Sequence, residues 1–149
     1  MTVTTAIAST FKPELMRALH NMDVGGDTLM MALQKVAPGR NYDQNTQNIS
    51  AVQAAPSDEL AAGGGYTVGG AACVSAGVTL SGTTGIADFN NVSWPAATFS
   101  ATAAFLYNQT KSGRMIAMWD FGGTQSISGA TFVIAMPPSG AGTSLIRIA

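Results

Sequence analysis

The stretch that most constrains the fold is Ala87–Asn108, ADFNNVSWPAATFSATAAFLYN. From Thr98 onward it alternates. Phe99, Ala101, Ala103, Phe105 and Tyr107 share one parity, while Thr98, Ser100 and Thr102 share the other, followed by Ala104 and Leu106. Successive side chains of a strand point to opposite faces, so one face is apolar and the other begins as a row of hydroxyls. This is the pattern of a strand half-buried in an antiparallel sheet.

The second half of the chain repeats the theme. Val74, Ala76, Val78 and Leu80 alternate with Cys73, Ser75, Gly77 and Thr79. A turn at Ser81-Gly82 leads to a short strand through Ile86, Asp88 and Phe89, and Val92 and Trp94 share a parity just before Pro95. Asn108–Gly113, NQTKSG, reads as a hairpin connection. Arg114–Phe121 is apolar on both parities in its middle, as expected of a central buried strand. Gly122-Gly123 is expected to turn the chain. Ala130, Phe132, Ile134 and Met136 share a parity in the next strand, which Pro137-Pro138 ends, and Ser144–Ala149 forms a last short strand. Short strands between Gly/Pro turns predict a mainly β fold, an antiparallel β-sandwich or barrel.

The first half differs. Residues 1–9 read as an extended arm. Ser9 or Thr10 is placed to cap a helix in which Phe11, Leu15 and Leu19 fall at i, i+4 and i+8, with Met16 beside them. Pro13 is tolerated in the first turn, and the helix is expected to stop near Asn21, before Val24-Gly25-Gly26. Asp27–Val36, DTLMMALQKV, fits a strand buried on both faces or a short helix, and the flanking Gly-Gly and Pro-Gly breaks favour the strand. Residues 38–56 read as a long polar surface loop with room for a turn of helix. Ser57 caps the acidic turn Asp58-Glu59-Leu60, and Gly63–Gly70 reads as a flexible joint.

With 149 residues the chain fits one domain, residues 1–149, with enough length for a proper core. Its charged share is 10%, against about 25% in typical soluble domains. Ser, Thr, Asn, Gln and Gly must then solvate the surface, or much of that surface faces other protein. The seven basic residues form no run, so no phosphate-neutralising face is visible and no nucleic-acid partner is expected. Cys73 is the only cysteine, which excludes an intramolecular disulfide and a cysteine metal cluster. No run approaches about 18 apolar residues, and the N-terminus lacks the basic start and apolar core of a signal peptide, so no membrane association is expected.

Candidate chemistry is sparse. His20 is the sole histidine, and its expected place near the helix C-terminus suits carbonyl capping better than catalysis or metal binding. The chain has no G-x-S-x-G elbow. The Gly63–Gly70 run lacks the Lys-Ser/Thr of a phosphate loop, and Asp23–Asp27 lacks the alternating ligands of a calcium loop. Trp94, Phe99, Phe105, Tyr107, Trp119, Phe121 and Phe132 suit a sandwich core, a sugar-binding face being the sharper alternative. No catalytic residue, metal site or cofactor is expected. Thr98, Ser100 and Thr102 are the candidate subunit-contact residues, because a hydroxyl row on a poorly charged chain can face a neighbour as well as water.

The order of features resembles a group of small tailed-bacteriophage virion proteins. The residues that carry it are the helix-to-strand run Phe11–Leu33, Asp58-Glu59-Leu60, Gly65-Tyr66-Thr67-Val68-Gly69-Gly70, and Asp88-Phe89 with Val92-Ser93-Trp94. Leu106-Tyr107-Asn108, Asp120-Phe121-Gly122 and Leu145-Ile146-Arg147-Ile148 complete the set. The Asn/Gln-rich loop at 41–50 departs from the family's pattern. The resemblance implies a non-enzymatic structural component of the virion, assembled in the bacterial host cytoplasm. The expected role is a capsid decoration, or cement, protein that binds the major capsid protein and copies of itself around a symmetry axis, as a trimer. A tail or head–tail connector component is the alternative, and a carbohydrate-binding adsorption domain the second.

Overall fold

The alternating stretch is the spine of the molecule. In the computed structural model, which describes all residues from Met1 to Ala149, it lies within one strand that runs from Val92 to Asn108. Its hairpin partner is longer still, from Arg114 to Ile134. Numbered in chain order, the elements are β1 (Ala6–Ile7), α1 (Phe11–Met16), β2 (Leu29–Lys35), α2 (Ser50–Gln53) and β3 (Ala71–Ala72). They continue with β4 (Ser75–Ser81), β5 (Thr84–Phe89), β6 (Val92–Asn108), β7 (Arg114–Ile134) and β8 (Ile146–Ile148). A five-stranded sheet has the order β1-β7-β6-β2-β3 and a three-stranded sheet the order β4-β5-β8. Every strand pair is antiparallel, as the alternation and hairpin signals predict for a sandwich. Neither sheet closes into a barrel.

The core sits where β6 is central. From Ala103 to Asn108 every residue of β6 is buried, because β2 and β7 flank it and both faces are covered. On one face the Phe105 ring meets Tyr42 edge-on, with centroids 5.4 Å apart. On the other, Met31 and Trp119 line a crevice with the chain at Ile134–Pro137 and with Leu145. The half-buried alternation therefore describes only Thr98–Thr102, towards the open end of the hairpin.

Several expectations of sequence are corrected. The helix ends at Met16, a turn before Asn21. Ala18 takes a left-handed φ of 55°, its N–H bonds Leu15 O, and Leu19 N–H bonds Glu14 O. This is a Schellman closure with alanine in the position usually held by glycine, so the usual stop signal was missing. Glu14 rather than Leu19 joins Phe11 on the buried side, and Met16 is 89% exposed.

The extended residues 1–9 are tied to the body of the protein. Thr4 N–H bonds Tyr42 O, Tyr42 N–H bonds Thr2 O, and β1 pairs with β7. The 38–56 segment is not a surface loop throughout, since Tyr42, Ile49 and Val52 are buried. Nor is Gly63–Gly70 a flexible joint. Gly64 lies so close to β6 that a Cβ there meets Thr98 O at 2.0 Å, and one on Gly70 meets Met31 O at 1.9 Å. Backbone packs directly on backbone at both positions, which only glycine permits.

Gly122-Gly123 does not reverse the chain. β7 runs on, and Phe121–Thr124 bulges out opposite Thr102 alone, between the pairs Ala101–Gln125 and Ala103–Asp120. The strand expected at 130–136 is thus the far end of β7 up to Ile134, paired with the start of β6. Pro95 falls inside β6 at a second bulge, where a missing ladder N–H is harmless.

Candidate functional site

The hydroxyl row lies on the outer half of the β6–β7 ribbon, and much of its hydrogen bonding is internal. Ser100 Oγ and Ser126 Oγ are 2.7 Å apart across the strand pair. Thr98 Oγ1 accepts the Gly129 N–H at 3.0 Å. Thr102 Oγ1 lies 3.0 Å from Gln34 Oε1 and 3.1 Å from Lys35 O, and its proton serves one of them. Thr98 stays exposed, while Ser100 and Thr102 are half-buried. The row therefore knits the ribbon together and presents the outer ends of its hydroxyls.

The surrounding surface is more distinctive than the row. Ten of the fifteen Lys, Arg, Asp and Glu residues precede Leu60. Between Leu60 and Thr110 only Asp88 is charged, and between Phe121 and Ile146 there is no charge at all. This uncharged sequence builds the outer ribbon, where Gly122–Thr131 is exposed except at half-buried Ile127. β1 pairs with the outer edge of β7 at Ala117 and Met118 and Thr5 takes the Asp120 N–H, but after Asp120 that edge has no neighbouring strand.

The opposite side of the ribbon is aromatic. Trp94 is 3% exposed and is ringed by Tyr66, Phe99 and Phe132 at centroid distances of 6.3, 6.5 and 5.9 Å. Its faces are taken by other rings, so it offers no platform to a sugar.

The charged and titratable groups in the interior act as ties. His20 is buried beyond the helix end, so it does not cap the last carbonyls. Its Nδ1 accepts from the Asn108 amide at 2.9 Å, which leaves the proton on Nε2 to be donated to Glu14 Oε2, also at 2.9 Å. Both ring nitrogens are occupied, with none left for a base or ligand role. Arg114 pairs with the other Glu14 oxygen. Asn108 also donates to Asp27 Oδ2 at 2.7 Å. Burial alone raises the Asp27 carboxyl, but Asn108, the Asn21 N–H and Lys111 outweigh it and hold it below its ordinary value.

A second cluster locks residues 37–70 to β2. Lys35 N–H bonds Asp58 O and Leu60 N–H bonds Leu33 O, so Asp58–Leu60 extends the sheet edge by a short bridge. Asp58 accepts the Gly39 N–H at 2.7 Å and the Tyr42 hydroxyl at 2.9 Å, with Lys35 Nζ at 3.2 Å. Burial raises this carboxyl too, and those partners hold it below the ordinary range. Glu59 is 3% exposed and has no cation in contact. Instead it accepts from Tyr66 Oη at 2.7 Å, Gly69 N–H at 2.6 Å and Gln53 Nε2 at 2.8 Å. Tyr66 Oη in turn accepts the Leu33 N–H at 3.0 Å, standing in for a missing strand. Desolvation, with the Glu59 charge, raises Tyr66 and pushes Tyr107 up to about 12.

Sequence reading missed both clusters because the side chains that bond each other are 6 to 100 residues apart. The one local signal was an adjacent acid pair, Asp58-Glu59, in a chain with few acids. Cys73 is buried, and burial pushes its thiol up to about 12, which leaves it unreactive. No three His, Cys, Asp or Glu side chains stand close enough to hold a metal ion, and no helix is long and apolar enough to cross a membrane.

No protein-family model matches the chain, and no curated protein and no solved structure is significantly similar to it.

Proposed function

We propose that this protein is a non-enzymatic structural subunit of a bacteriophage particle, a capsid decoration protein that binds the major capsid shell and stabilises it. The observation that carries the reading is the outer β6–β7 ribbon, an exposed and uncharged surface whose β7 edge has no partner. Natural proteins guard exposed strand edges with lysine, proline or a covering element. Here the guard is slight: Pro95 and the bulges interrupt the ribbon, but no charge does. A surface that meets protein rather than water has no need of solvating charge, and the cores of interfaces are depleted in it. The resemblance read from the ordered motifs of the sequence supplies the particle as the setting. A tail or head–tail connector subunit is the alternative within the same class, and copy number separates the two.

The test is binding to phage shells that lack the protein. Ser126→Lys with Ser128→Lys places two charges on the hydroxyl face of the ribbon, opposite Ser100 and Thr98. Shell binding measured by co-sedimentation is expected to weaken at least about tenfold, since a charge desolvated without a partner is strongly penalised. The melting temperature should move little, because both positions are exposed and the one bond lost, Ser100–Ser126, is itself exposed to solvent. Unchanged shell binding by a folded double variant contradicts the reading.

A further inference from the structure

We propose that copies of this chain join head to tail through the two free edges of the β4–β5–β8 sheet, with the Asp23–Gly26 turn of one copy seated in the groove beside β8 of the next. This deepens the structural-subunit reading and rests on it.

The two edges are unlike. At the β8 edge a groove of about 470 Å³ runs between β8 and α1. Phe11, Leu15 and Met16 of α1, Ile146 and Ile148 of β8, and Ile7 of β1 line it. Met16 at 89% and Ile148 at 59% are among the most exposed large apolar side chains of the molecule. The only charged side chains in the lining are Lys12 and Arg147, and neither is in an ion pair.

The β4 edge carries the opposite sign. The Asp23–Gly26 turn flanks the start of β4, held there by the Ser75 hydroxyl, which donates to Met22 O at 2.6 Å. Val24 stands out at 68% exposure, next to exposed Val74. The only charged side chains lining this recess are Asp23 and Asp27. Asp27 is engaged by Asn108 and Lys111. Asp23 meets no cation, and its Oδ1 accepts only its neighbour's N–H, from Val24.

An apolar knob beside a free carboxylate thus packs against one edge strand of the sheet, β4, and an apolar groove beside free cations lies along the other, β8. β5 is the only strand bonded to either edge. β4 itself, from Ser75 to Ser81, has no charge and no proline to repel a neighbouring strand. Two different surfaces that complement each other define a heterologous contact, which closes into a ring or runs on as a chain according to the rotation it imposes. A partner of another kind has to match the groove alone. A second copy matches both edges at once.

The test is a charge swap read by sedimentation velocity across a concentration series. Lys12→Glu and Asp23→Lys change exposed side chains, so all variants should melt alike. Each single change is expected to weaken self-association roughly tenfold, and the two together in one chain to restore it to within about threefold, because the reversed pair again attracts. The single-variant defects should shrink in high salt. A wild-type chain that stays monomeric to about millimolar concentration overturns the proposal. So do single variants that associate normally, or a double variant whose losses simply add. Shell binding is read separately through the ribbon variants, so failure of this contact and failure of the structural-subunit reading are distinguishable.

Discussion

At the scale of single residues, the fold depends on backbone positions that side-chain patterns do not reveal. Gly70 is the strictest. Its φ is +81°, and a Cβ there collides with Met31 O and Cα of Ala32, both backbone atoms that cannot swing away. Gly70→Ala is expected to cost at least about 3 kcal/mol, read as a lower denaturant midpoint in equilibrium unfolding. Ala18 is the converse case. It holds a left-handed φ that glycine adopts freely, so Ala18→Gly should stabilise the protein by about 1 kcal/mol and raise Tm by about 2–4 °C. A neutral or negative change would show that the helix closure at Leu19 is not strained. The sequence does not display these two requirements equally. Glycines between 63 and 70 read as flexibility, because composition cannot distinguish a loose segment from one pressed against a strand. Alanine in the αL position hid the end of the helix.

At the scale of elements, strands were the legible part and their ends the illegible part. Asp27–Val36 fitted a doubly buried strand or a short helix, and the strand that the flanking Gly-Gly and Pro-Gly breaks favoured is there, as Leu29–Lys35. The continuity of β7 through Gly122-Gly123 was not legible. A bulge and a turn use the same glycines, and only pairing with β6 decides between them. The interior polar ties were invisible for a related reason, since each joins residues brought together by the sheet. Tyr66 is the clearest example: its hydroxyl donates to Glu59 and accepts from Leu33 N–H. Tyr66→Phe removes one donor from a buried carboxylate and strands a backbone N–H. The expected cost is about 2–4 kcal/mol, from one lost bond to a charged group and one unsatisfied donor. Limited proteolysis should then cut first within residues 38–70, the segment that this relay pins. Unaltered stability and an unaltered cleavage pattern would show the relay to be incidental.

At the scale of the whole molecule, charge is used in two separate ways. Glu14, Asp27, Asp58 and Glu59 are spent on internal ties in and around the first 59 residues, and the outer ribbon has none. The internal use predicts the shape of stability against pH. Asp27 and Asp58 sit below their ordinary value in the fold, so their contribution is present above about pH 4 and is lost as pH falls through their lower folded values. Tyr66, Tyr107 and Cys73 are raised by burial, so their contribution is full below their unfolded values and is lost as pH rises past about 8.5 for the thiol and about 10 for the phenols. Urea midpoints should therefore be level from about pH 5 to about pH 8 and fall on both sides. A steady slope across that window would contradict the assignment. The external use of charge, its absence, was legible as a low total in the composition. Its concentration on one ribbon was not, because that depends on which strands reach beyond the core.

The uncharged ribbon is proposed as a docking surface within a particle. The deciding measurement is a reconstruction of the virion that contains the chain, with its copy number. The expected result is hundreds of copies on the outer shell, with Val92–Ala101 and Gln125–Ile134 buried against shell protein or a neighbouring copy. A dozen or fewer copies at a single vertex would move the protein to the connector. A ribbon that faces solvent in every copy, or particles without the chain, would contradict the claim.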